Sequence, residues 1–156
     1  MPEEPKNKSQ IGRFLRYRSA FERLDAALEE GWLLEAITLE ESIISDRLIS
    51  TLHHLGKNVN TKIHLKDLID KNRRSFENSE FNLCSTIFSK LDEWRLKRNA
   101  CVHSYCKFDE DSSFSENAVK DLEDTLLSTA REGRQLVDLA RQLSEFAKKQ
   151  YQNEGH

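Results

Sequence analysis

WLLEAITLEESIISDRLISTLHHL, residues Trp32 to Leu55, sets the architecture of the chain. Its apolar positions are Leu33, Leu34, Ala36, Ile37, Leu39, Ile43, Ile44, Leu48, Ile49 and Leu52. They wrap most of a helical circumference and leave only a narrow polar face. A helix apolar on most faces is stable only where other helices cover it, so this segment belongs in the middle of a bundle. The segment holds no Gly and no Pro, and it shows no alternation of Val, Ile and Thr of the kind that marks strands.

On its N-terminal side, the segment Ile11 to Glu30 carries Phe14, Tyr17, Phe21, Leu24 and Leu28 at steps of three and four. That spacing predicts an amphipathic helix, which Gly31 ends. Downstream, Gly56 to Asn60 is a turn cluster, and Ile63, Leu65, Leu68 and Ile69 predict a short amphipathic piece. The polar run Asn72 to Ser79 reads as a loop, with Ser79 as the N-cap of the next helix. That helix carries Phe81, Leu83, Cys84, Ile87, Phe88, Leu91 and Trp94, and either continues to Tyr105 or breaks near Asp92. Asp109 to Asp111 reads as a loop, and Ser113 to Glu116 fits a capping box. The last helix, about Glu116 to Tyr151, has the stripe Val119, Leu122, Leu126, Ala130, Gly133, Leu136, Val137, Ala140, Leu143 and Ala147. The expectation is an all-α, antiparallel bundle of about four long helices plus a short one. Residues 11–151 form one domain, between a disordered tail at 1–10 and a short tail at 152–156. Trp32 and Trp94 read as core anchors.

The chain has 156 residues, 5 Gly and 2 Pro, and a formal net charge of −3. Acidic overall balance argues against a generic nucleic-acid coat protein, so any nucleic-acid contact must be local. The three Cys, at 84, 101 and 106, lack Cys-x-x-Cys spacing and read as reduced thiols of a cytoplasmic protein. Met1 to Gln10 has no apolar core of a secretory signal, and no run of about 18 apolar residues suggests a membrane span.

One segment carries chemistry. Residues 94–107 hold Arg95, Lys97, Arg98 and Lys107 with no acid among them, next to Asn99, His103 and Tyr105. A guanidinium binds two phosphate oxygens at once, and a His moves a proton near neutrality. At 100° per residue, Arg98 and His103 lie about 140° apart, whereas Asn99 and His103 share a face and Tyr105 falls within about 20° of Arg98. The polar candidates therefore occupy one broad arc. Such an arc suits a cleft shared by two copies better than a pocket in one chain.

Arg98-Asn99-x3-His103 resembles the Arg-x4–6-His signature of HEPN domains, small helical domains in which Asn often follows the Arg. The extension to Tyr105 is similar to the Arg-x4-His-x-Tyr motif of HEPN toxins paired with a nucleotidyltransferase antitoxin. The resemblance implies a homodimer with both motifs facing one cleft. It also implies metal-independent endoribonuclease activity without a cofactor, of toxin or phage-defence type. By the same resemblance, Arg98 and His103 are catalytic with Asn99 in support, and Tyr105 is a candidate site of AMP attachment by a nucleotidyltransferase partner. Arg95, Lys97 and Lys107 would contact RNA. Some HEPN domains have lost activity and serve as nucleotide-, RNA- or protein-binding modules, which is the alternative here, together with a plain helical regulatory dimer.

Arg47 with His53 or His54 fits the bare Arg-x4–6-His spacing but lacks the Asn and the Tyr. Cys101-x-His103-x2-Cys106 has no second half and does not match common zinc spacings. Glu40 and Glu41 interrupt the apolar helix; either is solvent-exposed or one of them orients His103.

Overall fold

The computed structural model describes residues 8–77, 82–106 and 116–154. The described residues form five helices and no strand: α1 (Lys8–Glu30), α2 (Leu33–His54), α3 (Leu65–Ser75), α4 (Asn82–Cys106) and α5 (Glu116–Asn153). The all-α bundle expected from the sequence is the fold observed.

Two glycines end the first two helices. Gly31 and Gly56 both have φ near +76°, a conformation that favours Gly. Each closes its helix with a C-terminal wrap: the Trp32 N–H donates to the Ala27 carbonyl (2.8 Å), and the Lys57 N–H donates to the Leu52 carbonyl (2.9 Å).

α2 and α5 form the centre. Ala36, Ile37, Ile44, Leu48 and Leu52 of α2 are buried, as are Ala130, Leu136, Val137, Ala140, Leu143 and Ala147 of α5. The alanines and Gly133 of the α5 stripe let the helix axes approach closely. Register follows from pairs along the seam. Gly133 faces Glu40, and the Ser144 hydroxyl donates to Ser50 at 3.2 Å, so α2 and α5 run in the same direction. α1 runs against α2, because Arg13 meets Asp46 and Arg23 meets Glu35. α4 runs against α5, because Trp94 lies beside Gly133, Cys101 beside Thr129, and Tyr105 lines a groove with Leu122 and Val119; Trp94 also donates to the Thr129 carbonyl (2.9 Å). Antiparallel neighbours thus flank a parallel central pair. The short α3 lies between α2 and α4 in the chain and packs against both.

Several expectations need correction. Lys8 to Gln10 are helical, so no tail of ten residues precedes α1, and α5 carries Gln152 and Asn153 of the supposed C-terminal tail. The run from Asn72 is not a loop: α3 continues to Ser75. Asn72 is fully buried there, and its side-chain amide donates to the carbonyls of Leu68 (2.8 Å) and Leu48 (3.3 Å), which welds α3 to α2. Trp32 is no anchor; the turn at Gly31 leaves it 56% exposed, whereas Trp94 is wholly buried. Val119, at the start of the α5 stripe, is also exposed. α4 runs through Asp92 without a break. The Ser79 cap, the Asp109–Asp111 loop, most of the 113–116 capping box and Lys107 lie outside the described residues.

Candidate functional site

α4 divides its faces between core and solvent. Phe88, Leu91, Trp94 and Cys101 are buried, and the Cys101 thiol lies 3.5 Å from the Thr129 hydroxyl. The motif spreads from the edge of this buried face into solvent: Arg98 and Asn99 are half-buried, while Val102, His103 and Tyr105 are exposed. Cys101 and His103 therefore point to opposite sides of the helix, and the two do not share a metal. No group of three or more metal-ligating side chains occurs among the described residues.

Arg98 is held from two sides. One terminal nitrogen donates to the Glu41 carboxylate on α2, forming an ion pair in which both side chains are about one-quarter exposed. The other donates to Asn99 Oδ1 at 2.6 Å. A guanidinium has five N–H donors, so three remain for a ligand. Partial burial strengthens this pair relative to a surface one and fixes the guanidinium plane. Glu41 thus meets Arg98; it does not meet His103, whose side chain stands out from α4.

The basic character read from residues 94–107 is reduced by one acid just outside that segment and one on another helix. Arg95 donates to Asp92 at 2.9 and 3.0 Å, one turn back on the same helix. Lys97 meets Glu132 of α5 at 2.9 Å, and that hydrogen bond raises the Lys97 pKa. Arg98, Asn99 and Glu41 come together as one cluster, and Arg95 and Lys97 are tied into pairs of their own.

Tyr105, 52% exposed, borders a groove of about 650 Å³ that also takes in Trp32, Leu34, Val119 and Leu122. The hydroxyl-bearing end of α4 thus sits beside the turn between α1 and α2.

Beneath the motif, Glu40 is fully buried against Gly133 and Trp94. Neither carboxyl oxygen has a hydrogen-bond partner among the described residues. Burial raises its pKa to about 9, with Arg134 opposing only in part, so the side chain is a neutral acid at pH 7. Adjacent glutamates on one helix therefore have different fates: Glu41 is ion-paired and Glu40 is protonated. A carboxylate pair interrupting an apolar helix was the only sequence signal for this arrangement.

The chain matches no known protein family, no curated protein and no solved structure at a significant level. What the arrangement can do chemically therefore rests on its own residues.

A second Arg–His grouping lies at the other end of α2. Arg47 donates to Asp46 (Nε at 3.2 Å) and stacks over the Tyr17 ring at 4.4 Å. His54 Nε2 lies 3.4 Å from the buried Ser50 hydroxyl. Burial lowers the His54 pKa, and Lys148, Arg47 and Arg13 push in the same direction, against Glu145. His54 sits at the end of a chain of hydroxyls through Ser50 and Ser144, whereas His103 is exposed.

Proposed function

We propose that the protein is a metal-independent endoribonuclease of toxin or phage-defence type, acting as a homodimer with its active site in the cleft between copies. The resemblance of residues 98–105 to the HEPN motif suggests this class. The observation that carries it is the Arg98 cluster: a guanidinium braced by Glu41 and Asn99, with three donors left, one turn from an exposed His103 that points away from it around α4.

In the proposed reaction, the RNA 2′-oxygen attacks the adjacent phosphorus and the bond from phosphorus to the 5′-oxygen breaks. The products are a 2′,3′-cyclic phosphate and a 5′-hydroxyl end. One proton leaves the 2′-hydroxyl and one reaches the departing 5′-oxygen; His103 is the group that moves a proton. Arg98 stabilises the charge that grows on the non-bridging oxygens. Arg98 and His103 are separated around α4, so the working pair combines Arg98 of one copy with His103 of the other. A cytoplasmic setting suits such an activity. A nucleotidyltransferase partner that attaches AMP to Tyr105 would add negative charge and bulk at the cleft and silence it.

The test is RNA cleavage in EDTA. Wild-type protein is expected to leave 2′,3′-cyclic phosphate ends, and His103→Ala is expected to leave none. Absence of cleavage by an unmodified, dimeric sample contradicts the proposal. A non-catalytic RNA- or protein-binding module is the second reading, favoured by the pairing of Arg95 and Lys97 with acids. It predicts salt-dependent RNA binding without turnover.

A further inference from the structure

With Arg95 and Lys97 internally paired, α4 offers little free cationic surface to lead a polynucleotide to Arg98. The open face of α2 supplies an alternative. At 100° per residue, Glu41, Ser45, Thr38, Ser42 and Asp46 follow one another across about 140° of α2. Thr38 and Ser42 are exposed and the other three are half-buried, so this strip is not covered by either neighbouring helix. α4 bounds it on one edge, where Arg98 meets Glu41. α1 bounds it on the other, where Arg13 meets Asp46 at 3.4 Å and Arg23 meets Glu35 at 3.5 Å.

At the α1 edge lies a hollow of about 550 Å³ lined by Arg13, Arg16, Tyr17, Ser42 and Asp46, among others. Asp46 accepts from both Arg13 and Arg47. Arg16 has no ion pair among the described residues. Two guanidiniums, Arg13 and Arg16, and one carboxylate, Asp46, line the hollow, and Asp46 is shared with Arg47, a net positive site in a chain that is negative overall. The Tyr17 hydroxyl is shielded from solvent and has no hydrogen-bond partner among the described residues. Between the carboxylates Asp46 and Glu41 the floor carries Thr38, whose hydroxyl donates to the Leu34 carbonyl, and Ser42 and Ser45, whose hydroxyls are of the kind that donates to phosphate oxygens without reading a base. Glu41 and Asp46 are about 7.5 Å apart along the helix axis, so the two cationic clusters lie within one short strand's reach.

We propose that this α1–α2 hollow is a second phosphate site that holds the RNA backbone next to the Arg98 motif, with Arg13 and Arg16 as its binding residues. The assignment rests on the ribonuclease reading for its ligand, but not for its geometry.

The experiment measures binding of a labelled single-stranded RNA to His103→Ala protein, full length, across a range of salt. Arg16→Glu and the double variant Arg13→Glu/Arg16→Glu are compared with Arg18→Glu, an exposed α1 residue outside the hollow that pairs with Glu22. The double variant is expected to bind at least about tenfold more weakly, with a salt slope shallower by about 0.7 for each phosphate that is no longer neutralised. Arg18→Glu is expected to stay within about twofold of its parent. Equal behaviour of the hollow and control variants overturns the proposal. So does a loss of binding that coincides with dissociation of the copies in sedimentation, which would make the strip an interface.

The same variants separate this inference from the function it rests on. Cleavage that depends on His103 but is indifferent to Arg13 and Arg16 removes the hollow and keeps the ribonuclease. RNA held through the hollow yet never cut keeps the hollow and removes the ribonuclease. No RNA binding by the His103→Ala protein removes both.

Discussion

Glu40 shows how one buried side chain shapes the pH response of the protein. Its folded pKa of about 9 lies above the ordinary value of 4.5. The folded state therefore keeps a proton that the unfolded chain releases. Its contribution is greatest below pH about 4.5 and is lost as pH rises toward 9, by about 1.4 kcal/mol per pH unit within that window. Glu40→Gln removes this slope. The variant is expected to be more stable than wild type at pH 8 by more than it is at pH 6, as read from urea midpoints at the two values. A constant difference between the two pH values contradicts a neutral, buried Glu40. One residue further on, Glu41 acts through Arg98. Glu41→Gln keeps the size and removes the charge, so Arg98 loses its fixed orientation while the core is unchanged. The expected outcome is a loss of RNA cleavage of about 10- to 100-fold with little change in urea midpoint. Unchanged cleavage would mean that Glu41 is no more than a surface partner.

Among the elements, the packing of α5 on α2 and α4 is set by the absence of a side chain. A Cβ on Gly133 would overlap the Glu40 carboxyl and stand 2.9 Å from the Trp94 ring. Ala is the better helix former by about 1 kcal/mol, but overpacking against two buried groups outweighs that gain. Gly133→Ala is expected to lower stability by about 1–3 kcal/mol by chemical denaturation. Trp94→Phe fills most of the volume yet leaves the Thr129 carbonyl without its 2.9 Å donor, which costs about 1–3 kcal/mol. The helices themselves were legible because their apolar periodicity was strong and Gly31 and Gly56 marked the ends of α1 and α2. The end of α3 was not legible: Asn72 looks like loop chemistry in sequence, and only burial turns its amide toward two carbonyls. Trp32 failed for the converse reason, since a large aromatic side chain predicts burial but a turn decides where it points. In the motif, the order of Arg98, His103 and Tyr105 around α4 followed from 100° geometry, but the exposure of Tyr105 did not, since it lies about 20° around the axis from the buried Trp94. The partners of Lys97 and Arg98 did not, because Glu132 and Glu41 lie far away in the chain, whereas Asp92 stands only three residues before Arg95. Local charge along a sequence says nothing about acids brought in by neighbouring helices.

Across the whole molecule, the parallel pair α2 and α5 forms the rigid centre, with α1 and α4 on its flanks. This leaves a strip of α2 open between Arg98 of α4 on one edge and Arg13 and Arg23 of α1 on the other. No helix among the described residues is long and apolar enough to cross a membrane. The exposed apolar side chains Trp32, Leu96, Val102 and Tyr105 lie near the motif in sequence or in space, where a second copy would cover them. The proposed ribonuclease stands or falls on Arg98 and His103 acting from different copies. The decisive experiment co-refolds Arg98→Ala and His103→Ala chains in equal amounts and assays RNA cleavage in EDTA. Each variant alone is expected to be inactive. Half of the mixed dimers would be heterodimers, each with one intact composite site, so the mixture should regain about a quarter of wild-type activity. A mixture that stays inactive while wild type cleaves contradicts a site built from two chains.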